Sequence, residues 1–328
     1  MRPFTYLKAD DVEGAVELAA TTGGRYLAGG TNLVDLMRQG VEAPEVLVDV
    51  RSLSQDVDVE PDGTLVLGAG VTNTAVAEDP RVRQDFPLIS RAVLNGATGQ
   101  IRNMATVGGN LLQRTRCLYF YDTASRCNRR EAGAGCDALL GGTHNHAVIG
   151  HSRSCVATHP SDLAVALAAL DARVHLRGPG GPRVVDLVDF HLLPGEDEVR
   201  DTVLEPFELI TAVSVPPLPR RARSAYRKVR ERASYAFALV SVAAVLDIGD
   251  GVVRQARLAL GGVAAKPWRA RRAEQLLEGR PAGRALFQAA AQAALEGAQP
   301  QGDNFYKLAL ATRLITATLL QLAEEESS

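Results

Sequence analysis

An α+β fold is predicted, in which a two-lobed N-terminal region precedes a C-terminal domain of antiparallel strands covered by helices. Three observations carry this. Strand and helix signals alternate over the first 50 residues, a hairpin signal follows at once around Pro61-Asp62-Gly63, and the proline run at 216–219 separates that region from strand patterns followed by helix patterns. Interleaved βαβ and hairpin patterns do not fit a doubly wound parallel sheet. The 328 residues allow two or three domains, each with a real core. The expected divisions are 1–55, 56–217 and 218–328.

Each element has a local reason. Asp10-Asp11-Val12-Glu13 opens a helix: Asp10 and Glu13 have capping-box spacing, and Val12, Ala15, Val16 and Ala19 share a face. Gly23-Gly24 stops it. Residues 25–28 read as a short strand and Gly29-Gly30-Thr31-Asn32 as a tight loop, before a second helix through Met37. Residues 46–50 form a buried strand, and 56–69 alternate around the hairpin turn. Residues 86–97 are helical, and 106–112 form a second glycine loop. From Arg114 to Ser154 periodicity vanishes, in a stretch too long for an ordinary loop. Ser161-Asp162 caps a helix through Leu170. Beyond the proline run come strands near 226–229, 236–247 and up to Leu260, then helices near 269–278, 282–296 and 304–322. A short acidic tail follows at 324–326.

Composition excludes some functions. The 36 basic and 38 acidic residues leave a net charge of −2, without the basic surplus of a nucleic-acid binder. No apolar run reaches membrane-spanning length. The N-terminus has no apolar signal core and no twin-arginine signal, so a cytoplasmic location is expected, with export only alongside a signal-bearing partner. Lysine occurs only at positions 8, 228, 266 and 307, which reads as the codon bias of a GC-rich genome. Cysteine is distributed differently.

All four cysteines, Cys117, Cys127, Cys136 and Cys155, fall inside the irregular stretch, separated by nine, eight and eighteen residues. Such clustering predicts that they meet at one site. Zinc knuckles of the C-x₂₋₄-C kind are absent, and disulfides do not suit a large chain without an export signal. Four thiolates converging from irregular backbone suit a cubane iron–sulfur cluster, with zinc and free or paired thiols as alternatives. His144, His146 and His151 share the loop and read as secondary to the cysteines.

The two glycine loops share a character. Ala28-Gly29-Gly30-Thr31-Asn32 and Thr106-Val107-Gly108-Gly109-Asn110 each put paired glycines beside a hydroxyl and an amide side chain. Glycine lets the backbone approach an anion and aim N–H groups at it, although a plain strand-to-helix turn needs glycine too. The pattern is not G-x-G-x-x-G, so a nicotinamide Rossmann site is not indicated.

These loops, with Pro160-Ser161-Asp162-Leu163, Glu208-Leu209-Ile210, Tyr226-Arg227-Lys228 and the segment from Asn304-Phe305-Tyr306 onward, resemble in order and spacing the FAD-binding (medium) subunits of molybdenum hydroxylases. That family includes xanthine dehydrogenase, carbon monoxide dehydrogenase and aldehyde oxidoreductase flavin chains. The resemblance implies the two-lobed FAD-binding fold of the vanillyl-alcohol-oxidase/CO-dehydrogenase flavoprotein type, then that family's C-terminal domain. It implies that Tyr26, Leu27, Ala28, Gly29, Gly30, Thr31, Asn32, Leu33 and Val34 wrap the FAD pyrophosphate. Thr106, Gly108, Gly109 and Asn110 would line its other side, Asp162 would accept from its hydroxyls, Ile210 would pack near the ring system, and Lys228 would contact it. By themselves, Asp162 reads as a helix cap and Lys228 as a solvated charge.

The run from Gln113 to Phe120, and Cys155 shortly before Pro160, resemble the subset whose insertion carries a [4Fe–4S] cluster, here at 114–155 on the four cysteines. The function implied is electron transfer. A large molybdopterin subunit hydroxylates an aldehyde, a small 2Fe–2S subunit relays electrons, and this chain's FAD passes them to an external acceptor. No catalytic acid or base stands apart in the sequence. A self-contained FAD-dependent oxidase, the flavin subunit of a xanthine or purine dehydrogenase, and a zinc-stapled nucleotide-binding module are the alternatives.

Overall fold

In the computed structural model of the chain, residues 1–195, 199–219 and 221–324 are described; Glu325 and Glu326 of the acidic tail lie outside them. The first sheet is small and parallel. Strands β1 (Thr5–Lys8) and β2 (Arg25–Leu27) flank β3 (Val46–Asp49), and helices Val12–Thr22 and Leu33–Gln39 make the crossovers that parallel neighbours require. The helix face of Ala15, Val16 and Ala19 buries against Val48, Val50 and Leu53. Its cap is Asp11, whose carboxylate accepts from the Gly14 amide at 2.7 Å. The cap is therefore Asp11 rather than Asp10, and with Gly14 three positions on it forms no capping box. Gly23, at φ 68°, ends the helix in the left-handed region.

The second sheet is antiparallel, in the order β4-β5-β8-β6-β7. Its strands are β4 (Val57–Val59), β5 (Leu65–Gly68), β6 (Arg173–Gly178), β7 (Gly181–Asp186) and β8 (Leu209–Val215). The predicted hairpin joins β4 to β5, with the Asp62 carboxylate accepting from the Thr64 amide at 2.8 Å. The Asp162–Ala169 helix is buried on every side at the centre of the largest core, beside helix Pro87–Asn95. Among the short helices that escaped the sequence reading are Asn73–Glu78, Pro80–Asp85 and Gly99–Arg102. Each has at most six residues, too few for a 3.6-residue period to register, and each starts on a side-chain cap from Thr72, Asp79 or Thr98.

The third sheet is antiparallel, in the order β12-β11-β10-β9, built from β9 (Arg223–Val229), β10 (Val240–Gly249), β11 (Val252–Gly261) and β12 (Trp268–Arg269). Alternation along β10 explains its place. Val242, Ala244 and Leu246 face a core shared with helices Arg271–Leu277, Arg284–Ala293 and Tyr306–Glu324. Ala243 and Val245 point the other way, into the core of the second sheet. A strand buried on both faces loses its polar alternation, which is why 242–246 reads as one apolar run. The α+β class and its two-part arrangement are as predicted.

Candidate functional site

A cleft of about 530 Å³ opens between the first and second sheets. Its floor is the first glycine loop with its flanks, residues 23–33 without a break. Thr106, Gly108 and Gly109 of the second loop and Ile210 of β8 close the other side. Glycine is required at 29 by packing: a Cβ there would lie 2.5 Å from the Met104 carbonyl carbon, nearer still to its oxygen, and 3.2 Å from the Ala105 nitrogen. At 108 a Cβ would meet that of Ala69 at 3.1 Å. The first loop thus abuts the backbone just before the second, and the second abuts Ala69 after β5, because neither glycine carries a side chain at its contact point. Gly30, at φ 72°, turns the first loop into helix Leu33–Gln39.

The loops differ in what their amides do. Among the described residues, no hydrogen bond engages the amides of Gly29, Gly30, Thr31 or Asn32. In the second loop the amides of 107–110 are spent: Val107 on Val71 O, Gly108 on Ala69 O, Gly109 on Thr106 Oγ1 and Asn110 on Thr106 O. Residues 107–111 are a short helix rather than the loop expected. Anion-binding capacity therefore resides in the first loop, while the second supplies shape. Tyr26, whose phenol burial pushes up to about 12, donates to Phe207 O at 2.7 Å and ties β2 to the segment before β8. Phe207 holds φ at 62°, a left-handed turn that no glycine marks in the sequence.

Four of the expected residues do not line this cleft: Val34, Asn110, Asp162 and Lys228. Val34 lies behind Gly30. Asn110 Oδ1 accepts from Ser161 Oγ at 2.5 Å and links the second loop to the start of the central helix. Asp162 lines a second cavity of about 400 Å³, between the cysteine segment and the turn after β9. Its Oδ1 accepts from Tyr226 Oη and its Oδ2 from Lys228 Nζ, at 2.5 and 2.7 Å. Lys228 also donates to Asn95 O. Lys228 is therefore a buried partner rather than a solvated charge, and Ser161, not Asp162, caps the helix. Burial raises the Asp162 pKa, against the lowering by Lys228 and Tyr226. Each carboxylate oxygen keeps a lone pair for a further donor. Between the cavities sit His159 and His191, rings 4.3 Å apart and held neutral by burial, His191 at a pKa of about 4.

All four cysteines line a third, small cavity, and all are free thiols. Cys127 and Cys136 face each other across an isolated bridge. His146 Nε2 stands 3.1 Å from Cys117 Sγ, and Arg129 Nε donates to Cys155 Sγ at 3.2 Å. Burial pushes the Cys117 thiol up to about 12, and the neighbouring Cys127 and Cys155 add to the shift. Among the described residues, no three His, Cys, Asp or Glu side chains are close enough to hold a metal ion. The thiols line one small common space of about 10 Å³, and four thiols are the donor set that a cubane iron–sulfur group would take, one per iron. Sequence reasoning missed the acidic cleft wall of Glu42 and Asp201, which pair with Arg114; nothing local in the sequence marks them.

Comparison with known proteins accounts for the whole chain. Residues 2–218 match the FAD binding domain in molybdopterin dehydrogenase, and residues 224–322 the CO dehydrogenase flavoprotein C-terminal domain. The aldehyde oxidoreductase FAD-binding subunit PaoB of Escherichia coli is 48% identical over 98% of both chains. The carbon monoxide dehydrogenase medium chain of Afipia carboxidovorans is 28% identical over 84% of this chain and 80% of that one. The solved carbon monoxide dehydrogenase of Hydrogenophaga pseudoflava superposes with a TM-score of 0.78 at 26% identity, over 99% of this chain and 98% of that chain. This chain belongs to the FAD-binding subunits of the molybdenum hydroxylases, as the flavin subunit of a heteromeric oxidoreductase.

Proposed function

We propose that the chain is the electron-exporting subunit of an aldehyde-oxidising molybdenum hydroxylase, holding FAD in the main cleft and a [4Fe–4S] cluster on Cys117, Cys127, Cys136 and Cys155. The observation that carries the reading is the pairing of four unengaged amides at 29–32 with four free thiols around one cavity, in one chain 48% identical to an aldehyde oxidoreductase flavin subunit. Bound FAD supplies exchange between two- and one-electron chemistry, and a thiolate-held cluster supplies one-electron capacity.

The chain's own residues position and insulate. The Gly29–Asn32 amides offer donors to a pyrophosphate. Thr106, Gly108, Gly109 and Ile210 shape the opposite wall. Asp162, oriented by Tyr226 and Lys228, faces the second cavity and keeps lone pairs for hydroxyls of a part of the cofactor that reaches beyond the main cleft. The neutral His159 and His191 add no charge between the cavities. The cleft carboxylates Glu42, Asp201 and Glu208 are each paired with an arginine. We assign 1–55 and 56–217 to the two lobes and 218–328 to the C-terminal domain. The partners proposed are a large molybdopterin subunit and a small 2Fe–2S subunit, in the cytoplasm unless a partner carries an export signal.

Co-expression with those two subunits tests the reading. Anaerobic addition of an aldehyde should bleach the flavin absorbance of the complex and leave that of the isolated chain unchanged. Bleaching in the isolated chain would show a self-contained oxidase instead.

A further inference from the structure

We propose that Arg129 is a positioning residue that couples the cysteine cavity to the FAD cleft, so that filling one site tightens the other. The inference rests on the reading that the four cysteines hold a metal–sulfur group.

Arg129 is 4% exposed and spans the wall between the two sites. On one side its Nε donates to Cys155 Sγ at 3.2 Å. On the other its guanidinium pairs with Asp201, a residue of the cleft wall. Its carbonyl accepts from Arg114, whose guanidinium pairs in turn with Asp201 and Glu42. The Arg114 amide donates to Asn32 Oδ1 at 2.9 Å, at the end of the first glycine loop. A continuous polar chain thus runs from a cysteine sulfur to the loop whose amides stand open. Beside it, Leu36 of the helix that follows that loop packs with Phe120 and Cys127.

A rigid, planar guanidinium suits this bridging role. With Cys155 ionised by a bound iron–sulfur group, both ends of the fork face negative charge, and charge-assisted bonds fix its plane. With the group removed, the bond to sulfur remains but loses its charge assistance, and the fork is held firmly only from the Asp201 side. Asp201, Arg114 and the Asn32 end of the loop then lose a common anchor. Coupling of this kind is reciprocal: the factor by which iron improves FAD binding is the factor by which FAD improves iron retention.

The test is FAD affinity, read from flavin fluorescence on the full-length chain, iron-loaded and iron-stripped, for wild type, R129Q and D201N. In wild type, stripping should weaken FAD at least tenfold. In R129Q the same treatment should change affinity less than twofold. D201N cuts the bridge from the cleft end without touching the bond to Cys155; it should keep wild-type iron yet lose the coupling, and it decides the matter if R129Q does not fold. A tenfold effect persisting in either folded variant would overturn the inference, as would iron-loaded wild type that binds FAD equally well after stripping. A wild-type chain that takes up no iron would defeat the underlying cluster reading instead, and is told apart by metal analysis.

Discussion

Replacing Gly29 by alanine should cost the protein its FAD, for a reason distinct from ligand contact. The added Cβ would stand 2.5 Å from the Met104 carbonyl carbon and 3.2 Å from the Ala105 nitrogen. Ordinary carbon–carbon contact is about 3.5–4.0 Å, so the loops must part by about 1 Å. Both obstacles are backbone, and no rotamer change relieves them. Overpacking of this order costs about 1–3 kcal/mol. It separates the walls of the cleft just where Thr106 and the 29–32 amides face each other. Gly30→Ala is the control. There the new Cβ meets only the end of the Val34 side chain, at 3.0 Å, and the main penalty is the left-handed φ of 72°, about 1–2 kcal/mol. Flavin fluorescence titration and thermal melting of both variants provide the assay. Gly29→Ala should bind FAD at least tenfold more weakly, and Gly30→Ala should melt lower while keeping tighter binding than Gly29→Ala. Wild-type affinity in Gly29→Ala would refute the view that glycine is there to let the lobes touch.

Three further outcomes follow from the geometry. Changing any one of Cys117, Cys127, Cys136 or Cys155 to serine should lower bound iron and raise protease sensitivity across 114–155, with FAD loss secondary; wild-type iron in any of the four would remove that residue from the ligand set. Lys307 is fully buried, donates to His146 O and Gly262 O at 2.9 and 2.7 Å, and burial lowers its pKa to about 7. Since the unfolded chain binds the extra proton between about pH 7 and 10.5, this lysine makes stability rise with pH through that window. Urea unfolding at pH 7 and 9 should show the rise in wild type and a reduced one in Lys307→Met. Acid precipitation should leave all flavin in the supernatant, because neither glycine loop contains a nucleophilic His or Cys; flavin in the pellet would show a covalent bond.

Much of this was legible because some signals are local. Paired glycines between a strand and a helix, a serine before Asp162, and four cysteines confined to one segment are all readable without knowing which residues meet. What the sequence hid is long-range. Asp162 lies on the central helix and Lys228 on β9, and only the placement of the third sheet beside that helix makes them a buried pair. The second glycine loop looks like the first, yet its amides are consumed by Ala69, Val71 and Thr106, partners that topology supplies. The Glu42, Arg114, Arg129 and Asp201 network draws on three separate segments and has no spacing to betray it. Phe207 takes a glycine-like conformation without being glycine.

Cofactor content of the purified full-length chain tests the central claim most directly. Flavin released by acid, iron and acid-labile sulfide should be counted on one preparation, with low-temperature EPR after reduction. One FAD with about four irons and four sulfides per chain, and an EPR signal that appears on reduction, is the predicted result. FAD with stoichiometric zinc and no iron would contradict the cluster, and a chain that binds no flavin at all would contradict the account as a whole.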